Sequence, residues 1–393
     1  MKIAMLISGG VDSAVALLRL IEQGHELHLY YIRIGRDDDE GDCSAEEDIE
    51  MCTLIAHRYG LPLKVVSLHE EYWAHVMQYA LDTARAGLTP HPDLMCNKLI
   101  KFGFFEQRWG HDYDMVATGH YASTVEREGF RWLTTAVDPV KDQTDFLAQI
   151  SYQQLCHIIF PLGDIPKQEV RRIAAESGLP NAARKDSQGI CFLGKINYND
   201  FIRRHLGERP GPIVEIETGR KIGEHRGYWF HTIGQRKGLG LSGGPWYVVR
   251  KNTRDNVIYV SRGYDTRLQY GRTIHLQEMH WITLDPFADG GKVSFLDPVS
   301  LDDGTRILDV SFKNRHSPEF ADARLILTPT GDMRLEAESD VQGIAPGQYA
   351  VIYTPDHDIC LGSGMIVAPP AATRRRRHRA GIPAIKNDNS NSR

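Results

Sequence analysis

The feature that most constrains this chain comes at its start. The apolar run "KIAMLI" (Lys2–Ile7) breaks into "SGGVDS" (Ser8–Ser13), and "SAVALLRLIEQG" then carries helical apolar spacing to Gly24. A strand, a tight Gly-Gly turn and a helix form phosphate-binding geometry. Glycine lets backbone N–H groups approach an anion, the helix N-terminus adds partial positive charge, and serine hydroxyls add donors. No Lys follows the glycines, so the Walker signature is absent and a P-loop NTPase is disfavoured. A plain strand-to-helix turn also uses glycine, but the two serines and Asp12 weigh towards the anion site. Asp12 places a carboxylate beside the expected polyphosphate. There it would help hold Mg2+, an ion that keeps several waters and takes few protein ligands.

The same alternation continues. "HELHLYYIRI" reads as a second strand, "LKVVSL" as a third, "EYWAHVMQYALDTAR" as a helix and "YDMVATG" as a fourth strand. Strands alternating with helices predict an α/β unit, a doubly wound parallel sheet covered on both faces. After about Phe201 the pattern changes to "GYWFHTIGQRKGLG", rich in glycine and aromatics, and "PWYVVRKNTRDNVIYVSRG", two strands around a polar turn. From about Arg272 to Val367 only strand signals remain, with "ADARLILTPTGDMRLEAES" and "GQYAVIYTPDHDICLGSGMIV" as hairpins, which predicts a small β-barrel. At 393 residues the chain is long enough for two or three such units.

Charge is unevenly placed in a chain of net charge −5. "DDDEGD" (Asp37–Asp42) reads as a solvated acidic loop, whereas Arg203–Lys251 holds ten Lys/Arg against four Glu. That basic middle fits either contact with a polyanion or a solvated face. The tail, with "RRRRHR" at Arg374–Arg379, has no apolar periodicity and is expected to be disordered and to add salt-sensitive RNA affinity. No apolar stretch approaches the ~18 residues of a membrane span, and the N-terminal run is too short for a secretory signal, so a cytoplasmic protein without a membrane partner is expected.

Six cysteines are scattered without a CxxC pair, which argues against zinc and iron–sulfur sites. In a reducing compartment a cysteine that matters does so as a thiolate. Cys52, Cys156 and Cys360 sit in apolar contexts and read as packing residues, and Cys43 lies in the acidic loop. In "TPHPDLMCNKLIKF" (Thr89–Phe102) two prolines suggest an extended loop carrying His91 and Asp93. Cys96 follows that loop, with Lys98 and Lys101 near enough in sequence to favour a thiolate, although a buried structural cysteine fits the stretch as well. In "RKDSQGICFLG" (Arg184–Gly194) Cys191 follows a Gly-containing turn beside Arg184 and Lys185, and is equally ambiguous alone.

"SGGVDS" resembles the pyrophosphate-binding loop of ATP-pyrophosphatases, which cleave ATP to AMP and pyrophosphate while activating a carbonyl oxygen. Taken with "PDLMCNKLIKF", "ATGHYA", "KDQTDFL", "DSQGICFLG" and "HTIGQRKGLG", in that order, the chain is similar to the tRNA-specific 2-thiouridylases from residue 3 to about 367. The resemblance implies three domains, here 1–202 (ATP-binding and catalytic), 203–271 (central, tRNA-binding) and 272–370 (C-terminal β-barrel), with 371–393 as the tail. It implies ATP and Mg2+ as cofactors, tRNA and a persulfide sulfur donor protein as partners, and no DNA. Leu6, Ile7, Ser8, Gly9, Gly10, Val11, Asp12, Ser13, Ile34 and Gly119 would bind the nucleotide. Cys191 would carry sulfur as a persulfide, Cys96 would be the second thiol, and Asp93 the acid–base partner. His91, Pro92 and Asp93 would meet the target base, and Lys141, Asp142, Gln143, Arg315 and His316 the tRNA. The implied reaction adenylates O2 of the wobble uridine and replaces it by sulfur.

Two positions depart from that pattern: His91 stands where the family commonly has Asn, and Ala14 replaces a common second Ser. Two other readings compete. Another ATP-pyrophosphatase, such as an amidotransferase, would not need Cys96 and Cys191. A non-catalytic, redox-responsive tRNA-binding protein would not release pyrophosphate when tRNA binds.

Overall fold

The computed structural model describes residues 1–35, 43–186, 198–263, 271–288 and 293–369. The acidic loop, Cys191 and the Arg-rich tail therefore lie outside the described residues, as do the side chains of Cys43, Ser44 and Tyr198.

The first unit is the expected parallel sheet. β1 (Lys2–Leu6) is followed by α1 (Val11–Glu22), β2 (Glu26–Arg33), α2 (Cys43–Tyr59) and β3 (Leu63–Ser67). β4 (Met115–Ala117) comes next, then the hairpin of β5 (Ser123–Arg127) and β6 (Phe130–Thr134), and then β7 (Ile158–Ile159). The sheet runs β3-β2-β1-β4-β7, with Ile3 paired to both Leu27 and Met115. Ile3, Ala4 and Met5 are fully buried, as a strand covered on both faces requires.

The stretch read as an extended loop is shorter than expected. A helical run begins at Pro92, as Pro92–Met95, and continues through Cys96–Phe104 to Phe105–Arg108. His91 caps it, accepting the Leu94 N–H on its ring at 3.4 Å, and Pro92 occupies the first helical position, where its missing N–H is harmless. His91 and Asp93 thus do have a helical reason for their positions.

The central unit is a four-stranded sheet of β8 (Gly211–Glu215), β9 (Lys221–His225), β10 (Trp246–Asn252) and β11 (Val257–Arg262), in the order β10-β11-β8-β9. β10 and β11 form the expected antiparallel pair. The third unit comprises β12 (Thr273–Trp281), β13 (Val299–Ser300), β14 (Arg306–Lys313), β15 (Ala321–Leu327), β16 (Met333–Ala337), β17 (Tyr349–Tyr353) and β18 (Ile359–Val367). Pairing runs β12-β16-β15-β14-β17-β18 and returns from β18 to β12, which closes a six-stranded barrel. Both expected hairpins, β15–β16 and β17–β18, are antiparallel.

The β5–β6 hairpin, unread in the sequence, joins this barrel rather than the parallel sheet. Its turn residues Glu128 and Gly129 both have positive φ, and Leu133 pairs with Cys360 of β18. Trp132, fully buried, packs with Leu276, Phe312 and Ile352 of the barrel core. Cys52 and Cys360 are buried as expected, but Cys156 is exposed, because Leu155 occupies the inward position of its short helix. No helix among the described residues is long and apolar enough to cross a membrane.

Candidate active site

The strand order of the parallel sheet reverses between β1 and β4, and the crevice beyond the strand ends at such a point is where open α/β sheets bind ligands. Ser8–Ser13 leaves β1 there. The Ser8 N–H donates to Ser13 Oγ at 3.1 Å, and Ser13 Oγ donates to the Gly10 carbonyl at 3.1 Å. Gly9 makes the turn at φ +73°. Its carbonyl accepts from Asn181 Nδ2 at 2.9 Å and from an Arg184 Nη at 3.2 Å. The far side of the loop is open: an added Cβ on Gly10 would meet only Ser8 Oγ, at 3.3 Å. The backbone is thus braced from behind and bare in front, which fits a polyphosphate.

Gly119, beyond β4, lies against the same turn. A Cβ there would fall 2.8 Å from the Ser13 nitrogen and 2.9 Å from its Cα, so only glycine lets the two chains meet. Val11 and Ile7 are buried beneath the loop. Leu6 and half-buried Ile34 belong to one apolar cluster that also holds Met95 and Cys96. Two of the nucleotide residues implied by the resemblance, Leu6 and Ile34, therefore share an apolar cluster with one of the two expected thiols, whereas Ile7 and Val11 belong to the core cluster on the other side of the sheet.

Asp12 is half-buried. Its Oδ1 accepts from the Tyr121 hydroxyl at 2.7 Å and from Lys167 Nζ at 2.5 Å. Among the described residues no group of three or more His, Cys, Asp or Glu could hold a metal ion. A cation here would rest on Asp12, phosphate oxygens and water, a donor set that suits Mg2+.

Sequence reading missed the residues around Asp12. Lys167 also lies 2.8 Å from Asp186, which pairs with Lys141 at 2.7 Å and with Arg171. Burial alone would raise the Asp186 carboxyl, but hydrogen bonds from Lys141 and Lys167 hold it well below the usual carboxylate range. Burial and the adjacent Asp12 carboxylate raise the Tyr121 hydroxyl far above an ordinary phenol, so it stays a donor. Lys167 and Arg171 lie in no motif, and although Tyr121, Lys141 and Asp186 fall in "ATGHYA", "KDQTDFL" and "DSQGICFLG", nothing local in those stretches says that they meet at Asp12.

His91, expected to meet the base, and His316, expected to meet the tRNA, gather around Phe146. The His91 ring meets Phe146 edge-on at 5.7 Å, and His316 of the barrel unit lies tilted over the same ring at 4.7 Å. His316 Nδ1 is 3.0 Å from Asp145 Oδ2, and that hydrogen bond raises its pKa. Burial lowers the His91 pKa, opposed by Asp93 and Asp145. Cys96 is half-buried one helical turn from Pro92, and neighbouring Asn97 donates to the Phe146 carbonyl at 3.0 Å. Lys98 donates to Gln149 Oε1 at 3.1 Å, and burial lowers its pKa.

The expected tRNA contacts separate into two kinds. Lys141 is half-buried on Asp186, and Gln143 accepts the Tyr121 N–H at 3.0 Å. Asp142 is turned inward: it and Lys313 are each 2 % exposed and 3.0 Å apart, and Asp142 also accepts from Ala136 N–H and Thr144 Oγ1. Its carboxylate has no face left for RNA, so it ties the first unit to β14 instead. Arg315 reaches from the barrel to the Ile233 carbonyl of the central unit at 3.0 Å and to Gly343 O at 3.2 Å.

The chain matches three family descriptions in succession: tRNA methyl transferase HUP domain over residues 1–195, tRNA methyl transferase PRC-barrel domain over 199–262, and aminomethyltransferase beta-barrel domain over 272–366. It is 57 % identical to the tRNA-specific 2-thiouridylase MnmA 1 of Bacteroides thetaiotaomicron over 93 % of this chain and 99 % of the relative. It is 58 % identical to the tRNA-specific 2-thiouridylase MnmA of Porphyromonas gingivalis and 55 % to that of Parabacteroides distasonis, each over 93 % of this chain and 99 % of the relative. Matches at this identity over nearly the whole length of both partners, on a chain with this phosphate loop and this order of units, leave one conclusion: the chain belongs to the tRNA-specific 2-thiouridylase MnmA family.

Proposed function

We propose that the protein catalyses the ATP-dependent 2-thiolation of the wobble uridine of tRNA. One observation carries the reading: Leu6 and Ile34, at the strand ends beside the phosphate loop, pack in the same apolar cluster as Cys96, three residues beyond Asp93. A uracil carbonyl oxygen is a poor leaving group until phosphorylated, so a phosphate site and a thiol must serve one base.

In this mechanism the extruded uridine lies against His91, Pro92 and Asp93, and its O2 attacks the α-phosphorus of ATP. Pyrophosphate leaves into the cradle of Ser8–Ser13 N–H groups, and Lys167 offers its charge there. Magnesium, held by Asp12 and phosphate oxygens, would neutralise charge on the departing pyrophosphate. The terminal sulfur of a Cys191 persulfide then attacks C2 and displaces AMP. Cys96 thiolate attacks the Cys191 sulfur, forming a Cys96–Cys191 disulfide and releasing 2-thiouridine, and external thiols reduce the pair. Attack of Cys96 on the activated base is the alternative order. Asp93 exchanges the proton at the base. A persulfide-carrying protein recharges Cys191, and the reducing conditions this cycle needs are those of the cytoplasm.

The test is to incubate the protein with ATP, Mg2+, a persulfide source and unmodified tRNA, digest the RNA and weigh the nucleosides. A 2-thiouridine product that Cys96→Ser and Cys191→Ser both abolish is expected. ATP consumption with an aminated product, spared by both substitutions, would replace the reading with an amidotransferase. Binding without tRNA-dependent pyrophosphate release would leave only an RNA-binding protein.

A further inference from the structure

Beside the base-facing helix start lies a second concavity, of about 260 Å³, walled on one side by Thr89, Pro90 and Pro92 and on the other by Trp229, Phe230 and His231. We propose that this cavity receives a second unstacked nucleobase, that of a nucleotide flanking the target uridine. The inference rests on the thiolation reading and names a subsite of the same RNA-binding surface.

Continuity is the first argument. Pro92 lines the cavity and is the residue between His91 and Asp93, so a strand that places one base on Asp93 passes directly over the opening. Size is the second. Clefts for drug-sized ligands begin near ~300 Å³, so 260 Å³ admits one ring system rather than a whole nucleotide. The lining is the third: an indole, a phenyl and an imidazole ring suit the flat face of a base, and stacking on aromatic side chains is how single-stranded RNA is held.

Polar groups support the same occupant. His231 is 8 % exposed, and its Nδ1 has no hydrogen-bond partner among the described residues. Burial, with His225 and Lys251 nearby, lowers its pKa to about 4, so the ring is neutral and adds an uncharged flat surface to the aromatic wall. Arg236 and Lys237, exposed on the segment that follows, supply cations for the phosphates at the rim.

The cavity is also pre-formed on its proline side. The Thr89 N–H donates to the Pro346 carbonyl at 2.9 Å, and Gln348 Nε2 donates to the Pro90 carbonyl at 2.9 Å. Gly347 lies so close that an added Cβ would stand 2.7 Å from Leu88 Cβ and 2.8 Å from the Thr89 nitrogen. The barrel thus clamps this wall, while the aromatic wall belongs to the central unit. A base between them would read the spacing of two units at once.

The experiment uses an anticodon stem-loop, intact or made abasic at either nucleotide flanking the wobble uridine, with affinity read by fluorescence anisotropy. One abasic position is expected to weaken binding to the unmodified protein by about 5- to 150-fold, the range set by removing one base stack. Phe230→Leu, which keeps apolar bulk but removes the ring, should show a similar loss on intact RNA and little further loss on that abasic RNA. A 2-aminopurine at the same position should be quenched by the unmodified protein and not by Phe230→Leu. Unchanged ATP affinity shows that the variant is folded, and His231→Gln, read in the same way, serves if it is not. Equal binding of intact and both abasic RNAs, or independent multiplication of the two losses, would overturn the subsite, as would quenching that survives Phe230→Leu. Thiolation of the intact stem-loop in the same samples separates these outcomes from failure of the enzymatic reading, which would show as no 2-thiouridine at all.

Discussion

Lys167 holds its ammonium 2.5 Å from Asp12 Oδ1 although 155 positions separate them, and the same nitrogen lies 2.8 Å from Asp186. The phosphate loop has no lysine of its own, and the fold supplies one from the start of the helix Lys167–Glu176. A hydrogen bond to a charged group is worth about 1.5–3 kcal/mol. Lys167→Gln should therefore lower kcat/KM for ATP roughly 10- to 150-fold, measured as tRNA-dependent pyrophosphate release, with tRNA affinity unchanged.

Gly119→Ala would set a methyl 2.8 Å from backbone at Ser13, where no side chain can move aside. Overpacking of this kind costs about 1–3 kcal/mol. A lower denaturation midpoint and a raised KM for ATP are expected together, because the displaced element is the start of α1.

Asp142 and Lys313 form a buried ion pair, each 2 % exposed. Removing one partner strands the other, at about 3–5 kcal/mol, whereas replacing both with apolar residues is often neutral. Lys313→Met should lower the thermal midpoint sharply, and adding Asp142→Leu should restore most of it. Asp142→Asn should likewise affect stability, leaving the salt dependence of tRNA binding as it was.

His316 and His91 should give opposite pH dependences. Hydrogen bonding to Asp145 raises His316 above 6.5, so its stabilisation is complete below that value and fades as pH rises through the raised pKa. Burial lowers His91 below 6.5, so the unfolded chain takes up the proton first, and stability falls as pH drops below that value. Urea midpoints from about pH 5 to pH 8 should lose their alkaline decline in His316→Asn and their acid decline in His91→Asn.

The Arg-rich tail gives a prediction from sequence alone. Deleting residues 371–393 should weaken tRNA binding and flatten its salt slope by roughly 0.7–0.9 for each RNA phosphate that the tail neutralises. Anisotropy titrations at several salt concentrations measure both quantities.

Much of this protein was legible in advance for a common reason. β1, the glycine turn and α1 are encoded by neighbouring residues, and so are the β10–β11, β15–β16 and β17–β18 hairpins, whose pairing is local. The stretch around Cys96 was half legible. Its prolines suggested an extended loop, yet one of them sits at the first helical position, where proline starts a helix rather than breaking one. Cys156 was misjudged because a run of apolar neighbours does not say which way one side chain in a short helix points.

The chain by itself determined the glycine turn after β1, the alternation that makes a parallel sheet and the strand-rich C-terminal unit, since each depends on short-range pattern. Tertiary structure alone decided that Lys167 meets Asp12, that Asp142 turns inward to Lys313, that His91 and His316 share Phe146, and that the β5–β6 hairpin joins the barrel. These pairings cross 155, 171 or more than 200 positions. At such separations burial and charge choose partners from the whole folded surface, and no local pattern records the choice.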